Sequence, residues 1–481
     1  MAVRQVITRP RLASAALPAA GWAWTRAVLF MFLYQVLPYA SHSDVISDVR
    51  IYNDWSQVFG QGHYPVGDVD WQYPPAAALV ITLPRIARML TGVSYYTAFY
   101  ALMFLADALT FAMVLYSAWR TAERRGDKRA DYLGSWVYVA AIFMIGPIVF
   151  GRFDIAVTLF AVAGLVLAGG SAAGGGAART WRWRGLAIGF GAALKIWPAA
   201  LAVGLPKRRD GRFALLWAAA GAAVPTLLLA AVLPGAFSFL NGQGGRGLEI
   251  ESIPATPFMV ARMFGYHAQI LDQYGSWEIV GAGTSAIADL CIVATLAGFA
   301  WLLWWRRRAN LVPGRWSTAL YYDAALVAVM IAIATSRVLS PQYLVWIVAL
   351  IALCLNLKPL GKEGTSLTGP CWLMLAAVSV TQVDFPLTFS RIIHHDDIAT
   401  WFLAARNAAL LAAAVWAAVR LWRAVVPAPV PASALEPVTR AAVPTEGAVG
   451  AGAGLAEQAP DTGETGREGL SPAASTSAET A

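Results

Sequence analysis

The sequence predicts an all-α polytopic membrane protein, a helical bundle of roughly 10–12 membrane segments with interfacial helices in its first outer loop. Three observations predict it. Hydrophobic residues fill 58% of 481 positions and charged residues only 13%, against roughly 25% charged in ordinary globular chains. The apolar residues gather in runs near the roughly 20 residues that one bilayer crossing needs, and backbone in hydrocarbon must be helical to satisfy its own polar groups. Most Lys and Arg stand in short clusters between those runs, where the positive-inside rule accounts for the formal charge of +8. No basic face separates from the membrane loops, which excludes nucleic acid as a partner.

The elements follow in order from an arginine-bearing cytoplasmic N-terminus (Arg4, Arg9, Arg11). The first apolar run, about 22–40, is longer than a typical signal-peptide core, so a retained first span is expected. The loop at 41–73 carries Asp44, Asp48, Asp54, Asp68 and Asp70 with one Arg, and belongs outside. Of the two runs before the basic cluster at 120–129, the one at about 76–90 is interrupted by Arg85 and Arg88 and is expected to lie at the outer interface. The other, about 95–118, is the second span. Spans at about 132–150 and 154–170 form a hairpin with Gly151-Arg152-Phe153-Asp154 at its outer tip, and a Gly/Ala-rich piece at 168–178 returns inside. Residues 185–205, broken by Gly189, Gly191, Lys195 and Pro198, suit a re-entrant or broken helical pair.

Further spans are expected at about 213–234, 279–305, 319–335, 342–357, 370–383 and 398–422. Every basic cluster then falls inside and every acidic loop outside, with both termini cytoplasmic. Residues 1–425 read as one transmembrane domain, and 426–481, rich in Ala, Pro, Gly, Glu and Thr without periodicity, as a disordered cytoplasmic tail. Cys291, Cys354 and Cys371 sit in or beside apolar runs with no ligand or disulfide spacing, so they read as core residues.

The loop 41–75 is the richest in chemistry. Asp48 follows the first span closely, and a carboxylate partly desolvated among Trp55, Tyr64, Trp71 and Tyr73 suits proton abstraction from a hydroxyl, with rings to stack on sugar faces. Acidic outer loops and aromatic belts are also common without any chemistry. Asp48 with Tyr52, Gly62-His63-Tyr64-Pro65, and Tyr73-Pro74-Pro75 together resemble the polyprenol-phosphate-dependent glycosyltransferases of family 87, of the actinobacterial phosphatidylinositol mannoside mannosyltransferase type. Gly151-Arg152-Phe153-Asp154, Leu194-Lys195 with Pro198, Glu251-Ser252 and Ser340-Pro341-Gln342-Tyr343 recur in the family's order, up to about residue 425.

The resemblance implies a GT-C fold, a polyprenyl-phosphate sugar donor (commonly mannose), a lipid-linked or glycan acceptor, inversion at the anomeric carbon and an active site on the non-cytoplasmic face of the cell membrane. Asp48 is then the general base. Tyr52, Tyr73, Arg152, Asp154, Glu251, Arg337, Gln342 and Tyr343 become substrate-binding candidates. Arg337 leads as the holder of the leaving phosphate, ahead of Arg152 and Arg246.

No cofactor and no metal are expected. Asp68-Val69-Asp70 imitates a metal-binding Asp-x-Asp, but a lipid-monophosphate donor lacks the diphosphate such a metal bridges. His394-His395-Asp396-Asp397 is contiguous, so its side chains diverge. Asp154 is expected to pair with Arg152 or to assist the acceptor. Lys195 is placed toward the cytoplasmic half, neutralising a buried carboxylate or binding a lipid phosphate. A transporter or flippase is the alternative, but it calls for inverted repeats or midplane ion pairs, and the carboxylates cluster in the loops.

Overall fold

The computed structural model describes residues 12–39, 42–167, 177–243, 245–311 and 316–425. The expected tail at 426–481 and most of the Gly/Ala-rich piece at 168–178 lie outside them. Helix α1 (Ala16–Leu33) is followed by α2 (His42–Gly60), α3 (Ala77–Thr91) and the long α4 (Tyr95–Arg125). Ser94 caps α4 by accepting from the Thr97 amide, and Gly126, at φ +73°, ends it. The first span thus begins and ends earlier than the run at 22–40 suggested. Its helix stops before Pro38, ahead of which Gln35 takes φ +55°.

Helices α5 (Leu133–Ile145), α6 (Ile148–Gly151) and α7 (Asp154–Val166) form the expected hairpin and its tip. Helix α8 (Ala177–Leu194) ends in a break, and a 3-10 segment, Trp197–Gly204, turns the chain back, as expected for the broken pair. Helix α9 (Arg209–Val232) packs on α8 through small residues. A Cβ at Gly189 would stand 2.0 Å from the Ala218 carbonyl oxygen, and one at Gly185 2.2 Å from that of Ala214. Only glycine permits this approach.

The loop after α9 holds strands and a short helix that the hydropathy reading missed. They are β1 (Leu248–Glu249), α10 (Thr256–Arg262), β2 (Ala268–Gln273) and β3 (Ser276–Gly281), in an antiparallel sheet of order β1-β3-β2. Tyr274 (φ +52°) and Gly275 (φ +67°) form the two-residue β2–β3 turn. Ile279 and Val280, taken for the start of a span, belong to β3. The span itself is α11 (Thr284–Asn310).

Helices α12 (Thr318–Ala334), α13 (Leu344–Asn356), α14 (Thr368–Gln382), α15 (Phe389–Ile393) and α16 (Asp397–Ala424) complete the bundle, with Asp396 capping α16. Six described helical segments are long and apolar enough to cross a membrane. Four expected spans are instead short apolar helices of 13 to 17 residues, namely α5, α7, α12 and α13. Every residue of α13 is buried, so protein rather than lipid surrounds it. By contrast α9 buries only three residues and exposes Leu216, Val224, Leu227 and Leu228, as a lipid-facing helix does. A buried ion pair ties α1, α4 and α5 together. Asp107 accepts from Arg26 Nε (2.9 Å), Trp22 Nε1 (2.7 Å) and Tyr138 Oη (2.7 Å), so its charge is compensated.

Candidate active site

Helix α2 sets Asp48, Tyr52 and Trp55 on one face by their four- and three-residue spacings. The Tyr52 hydroxyl donates to Asp48 Oδ2 at 3.3 Å. Burial first, then the neighbouring Tyr73 and Asp48, holds the Tyr52 hydroxyl well above its ordinary range, so it stays a donor. Burial likewise pushes Tyr73 up to about 12. The Asp48 side chain remains 26% exposed.

The hairpin tip explains itself residue by residue. Gly151 lets α6 touch α2, since a Cβ there would lie 2.2 Å from the Val45 carbonyl oxygen. Arg152 then reaches Asp48, with Nε 2.7 Å from Oδ2, and is steadied by donating to the Val45 carbonyl (2.9 Å) and to Ser47 Oγ (3.3 Å). Phe153 packs edge-on against Tyr73 and Tyr52 at 4.9 and 5.5 Å. Asp154 pairs with Lys195 Nζ at 2.8 Å and accepts from Trp346 Nε1 at 2.8 Å.

Two expectations are thereby corrected. Asp154 partners Lys195 instead of Arg152. Lys195 stands beside the first acidic loop, away from the cytoplasmic half assigned to it, because the broken segment after α8 reaches that end before turning back. Its ammonium lies over four rings, 4.6 Å from Tyr343, 5.2 Å from Trp346 and 5.6 Å from both Tyr73 and Phe153. As expected for one of its two roles, it neutralises a buried carboxylate.

Asp48 lies where two cavities meet. The first, about 370 Å³, brings Asp48, Tyr52 and Tyr73 together with Lys195, Arg337, Gln342 and Tyr343, and with Arg246. Arg337 Nη1 donates to the Arg246 carbonyl, and Arg246 in turn contacts Gln72 and Ser276. Glu249 accepts from the Leu339 amide and Ser340 Oγ, which fixes the Ser-Pro-Gln-Tyr segment to β1. Gln342 is 8% exposed and its Oε1 has no hydrogen-bond partner in the protein. Beside this cavity lies an apolar one of about 620 Å³, walled by Ala200, Val203, Phe299 and Leu303. Trp197, Ser336, Tyr343 and Trp346 line both. Trp346 is stacked between Tyr343 (4.3 Å) and Trp197 (5.0 Å).

The second cavity, about 1110 Å³, shares Asp48, Asp70 and Gln342 with the first and is lined besides by Asp44, Glu249, Glu251 and Asp272. Glu251 is tied to Arg406 of α16 at 3.3 Å, and burial pushes its carboxyl up to about 8 against the pull of that arginine. Asp68 accepts from the Trp55 indole and the Asp70 amide. Asp396 takes Arg391 at 2.7 Å, and no group of three metal-ligating side chains gathers among the described residues. Sequence reasoning gave Lys195 no site and passed over Trp346, Trp197 and Arg406. The Lys195 signal, an ionisable residue inside an apolar broken helix, was present but misplaced.

Residues 71–328, more than half of the chain, match the model of glycosyltransferase family 87. Among solved structures, the chain is similar to ArnT from Cupriavidus metallidurans bound to undecaprenyl phosphate, at 12% identity and a TM-score of 0.45, over 85% of this chain and 78% of that one. The apo state of ArnT from the same organism matches over the same shares at 12% identity and a TM-score of 0.33. No curated protein sequence matches the chain.

Proposed function

The chain belongs to glycosyltransferase family 87, and we propose that it moves a hexose, mannose first among the candidates, from a polyprenyl-phosphate donor to a lipid-linked or glycan acceptor on the non-cytoplasmic face of the cell membrane. That it is a multi-pass membrane glycosyltransferase follows from the family and the helices. The donor, the sugar and the face are our reading.

One observation carries it: Asp48 separates a cation-lined cavity, adjoined by an apolar one, from a wider cavity lined by carboxylates. The apolar cavity would take the isoprene units nearest the phosphate, which sets that phosphate against Arg337, Arg246 and Lys195. The acceptor enters from the wide side. Asp48 takes the proton of the acceptor hydroxyl, the oxygen forms its bond to the anomeric carbon, and the bond from that carbon to the phosphate oxygen breaks. The lipid phosphate leaves with the electron pair, and one in-line displacement inverts the centre. Arg152 and Tyr52 orient the base, while the cations steady the leaving charge.

The test is incubation of purified protein with a panel of radiolabelled polyprenyl-phosphate sugars and a membrane lipid extract, in parallel with Asp48→Asn. One donor should be consumed by the natural sequence and none by the variant. Consumption of no donor, or full turnover by Asp48→Asn, would overturn the reading.

A further inference from the structure

The wide cavity differs from the first in a way that bears on what enters it. Asp44, Asp70 and Asp272 face it, from α2, the loop after α2 and the edge strand β2 respectively. Of its basic side chains, Arg152 is already paired with Asp48, and His394 bonds back to its own helix at the Ser390 carbonyl. The field there is negative. Burial first, with Asp68, Asp272 and Asp48 nearby and Arg246 opposing them, raises the Asp70 carboxyl above its ordinary range. The acidic residues alone would make only a solvated wall. Independent of them, the Gln342 carboxamide, at the junction of the two cavities, is more than nine-tenths buried and leaves Oε1 without a partner in the protein. A buried acceptor oxygen at a cavity wall takes its donor from whatever fills the cavity, water or the hydroxyl or amine of a ligand that displaces it. The rings of Trp277, Phe385 and Phe389 add apolar faces to the same wall.

Resting on the glycosyl-transfer reading, we propose that this cavity admits a neutral or amino-bearing sugar as the accepting end, donating to Gln342 Oε1, and rejects a sugar bearing carboxylate or phosphate. An acceptor anchored through a lipid phosphate therefore holds that phosphate outside the cavity, with neutral sugar between it and Asp48.

The experiment uses the full chain in detergent with the donor it consumes and three octyl glycosides ending in hexose, hexosamine or hexuronate. At low salt, kcat/KM for the hexuronate should fall at least about tenfold below that for the hexose, with the hexosamine equal to or above the hexose. Combined Asp70→Asn and Asp272→Asn should bring hexuronate within about threefold of hexose, because the repulsion is gone. Asp272→Asn alone, on an exposed edge strand, should close part of the gap and guards against a misfolded double variant. Equal use of hexuronate and hexose by the natural sequence, or a ratio unmoved in both variants, would overturn the inference. Donor consumption with lipid extract but with none of the three glycosides would also overturn it while leaving glycosyl transfer standing. No donor consumption in either arm would instead overturn the function.

Discussion

The two cavities that meet at Asp48 differ in size, charge and surroundings, and the differences are complementary. The smaller is lined by Lys195, Arg246 and Arg337 and adjoins an apolar space. The larger, three times its volume, is lined by carboxylates and opens beside the β-sheet loop. A symmetric site would bind two similar molecules. This one suits an anionic lipid on one side and an uncharged, hydroxyl-rich molecule on the other, with the proposed base between them. The acidic residues that mark one side of the membrane in the sequence reading thus gather around one of the two cavities in the fold.

The largest expected effect comes from removing the group at the junction. Asp48→Asn should lower transfer by roughly 10²–10⁴-fold, the usual worth of a general base, with donor binding and protein level retained. Turnover near that of the natural sequence would dissolve the distinction between the two sides. Next is Arg337→Gln, which touches only the smaller cavity. Loss of one preorganised stabiliser of the leaving charge should cost roughly 10²–10³-fold in kcat. An effect on acceptor KM alone would reassign Arg337 to the larger cavity. Lys195 needs two variants, because it also neutralises Asp154. Lys195→Met strands a buried carboxylate and should destabilise the fold by about 3–5 kcal/mol. Adding Asp154→Asn should restore the melting temperature but not transfer. Recovery of both would confine Lys195 to scaffolding.

Much of this was legible in the sequence because the bilayer imposes a length and the basic clusters impose a direction. The long helices α4, α9, α11 and α16 fall where the apolar runs lie. The sheet was not legible from hydropathy. Ile279 and Val280 are apolar enough to read as the start of a span, yet the alternation through 268–281 and the Tyr274-Gly275 turn carry the hairpin signal. At the site, the motif around Asp48 named the right loop. Its partnership with Arg152 was not readable, because it depends on a close approach at Gly151, 103 positions away from the aspartate. Lys195 was misplaced for a related reason. Charge threading assigns sides to whole spans and is blind to a segment that enters and returns.

Gly151 offers the next, smaller test. Gly151→Ala puts a methyl against the Val45 carbonyl oxygen and must push α6 from α2, carrying the Arg152 guanidinium off Asp48. A misplacement near 1 Å costs up to roughly 100-fold where geometry matters. Transfer should fall within that limit for neutral acceptors alike, since the base that activates each of them is disturbed. A change in acceptor preference instead would mean the tip shapes the larger cavity.

The smallest effect is expected from chelation. Asp68 is held by the Trp55 indole at 2.8 Å and the Asp70 amide at 2.9 Å, so each of its oxygens already accepts a hydrogen bond within the loop. In the proposed reaction the single lipid phosphate would meet Lys195, Arg246 and Arg337, and it offers no diphosphate for a divalent ion to bridge. Excess EDTA should therefore leave the transfer rate unchanged. Asp68→Asn should cost about 1 kcal/mol of stability through the weakened indole bond and little activity. A strong loss on chelation that added divalent metal reverses would place a cation among the acidic residues. The larger cavity would then be a metal-bearing site, and the charge contrast between the two sides of Asp48 would vanish.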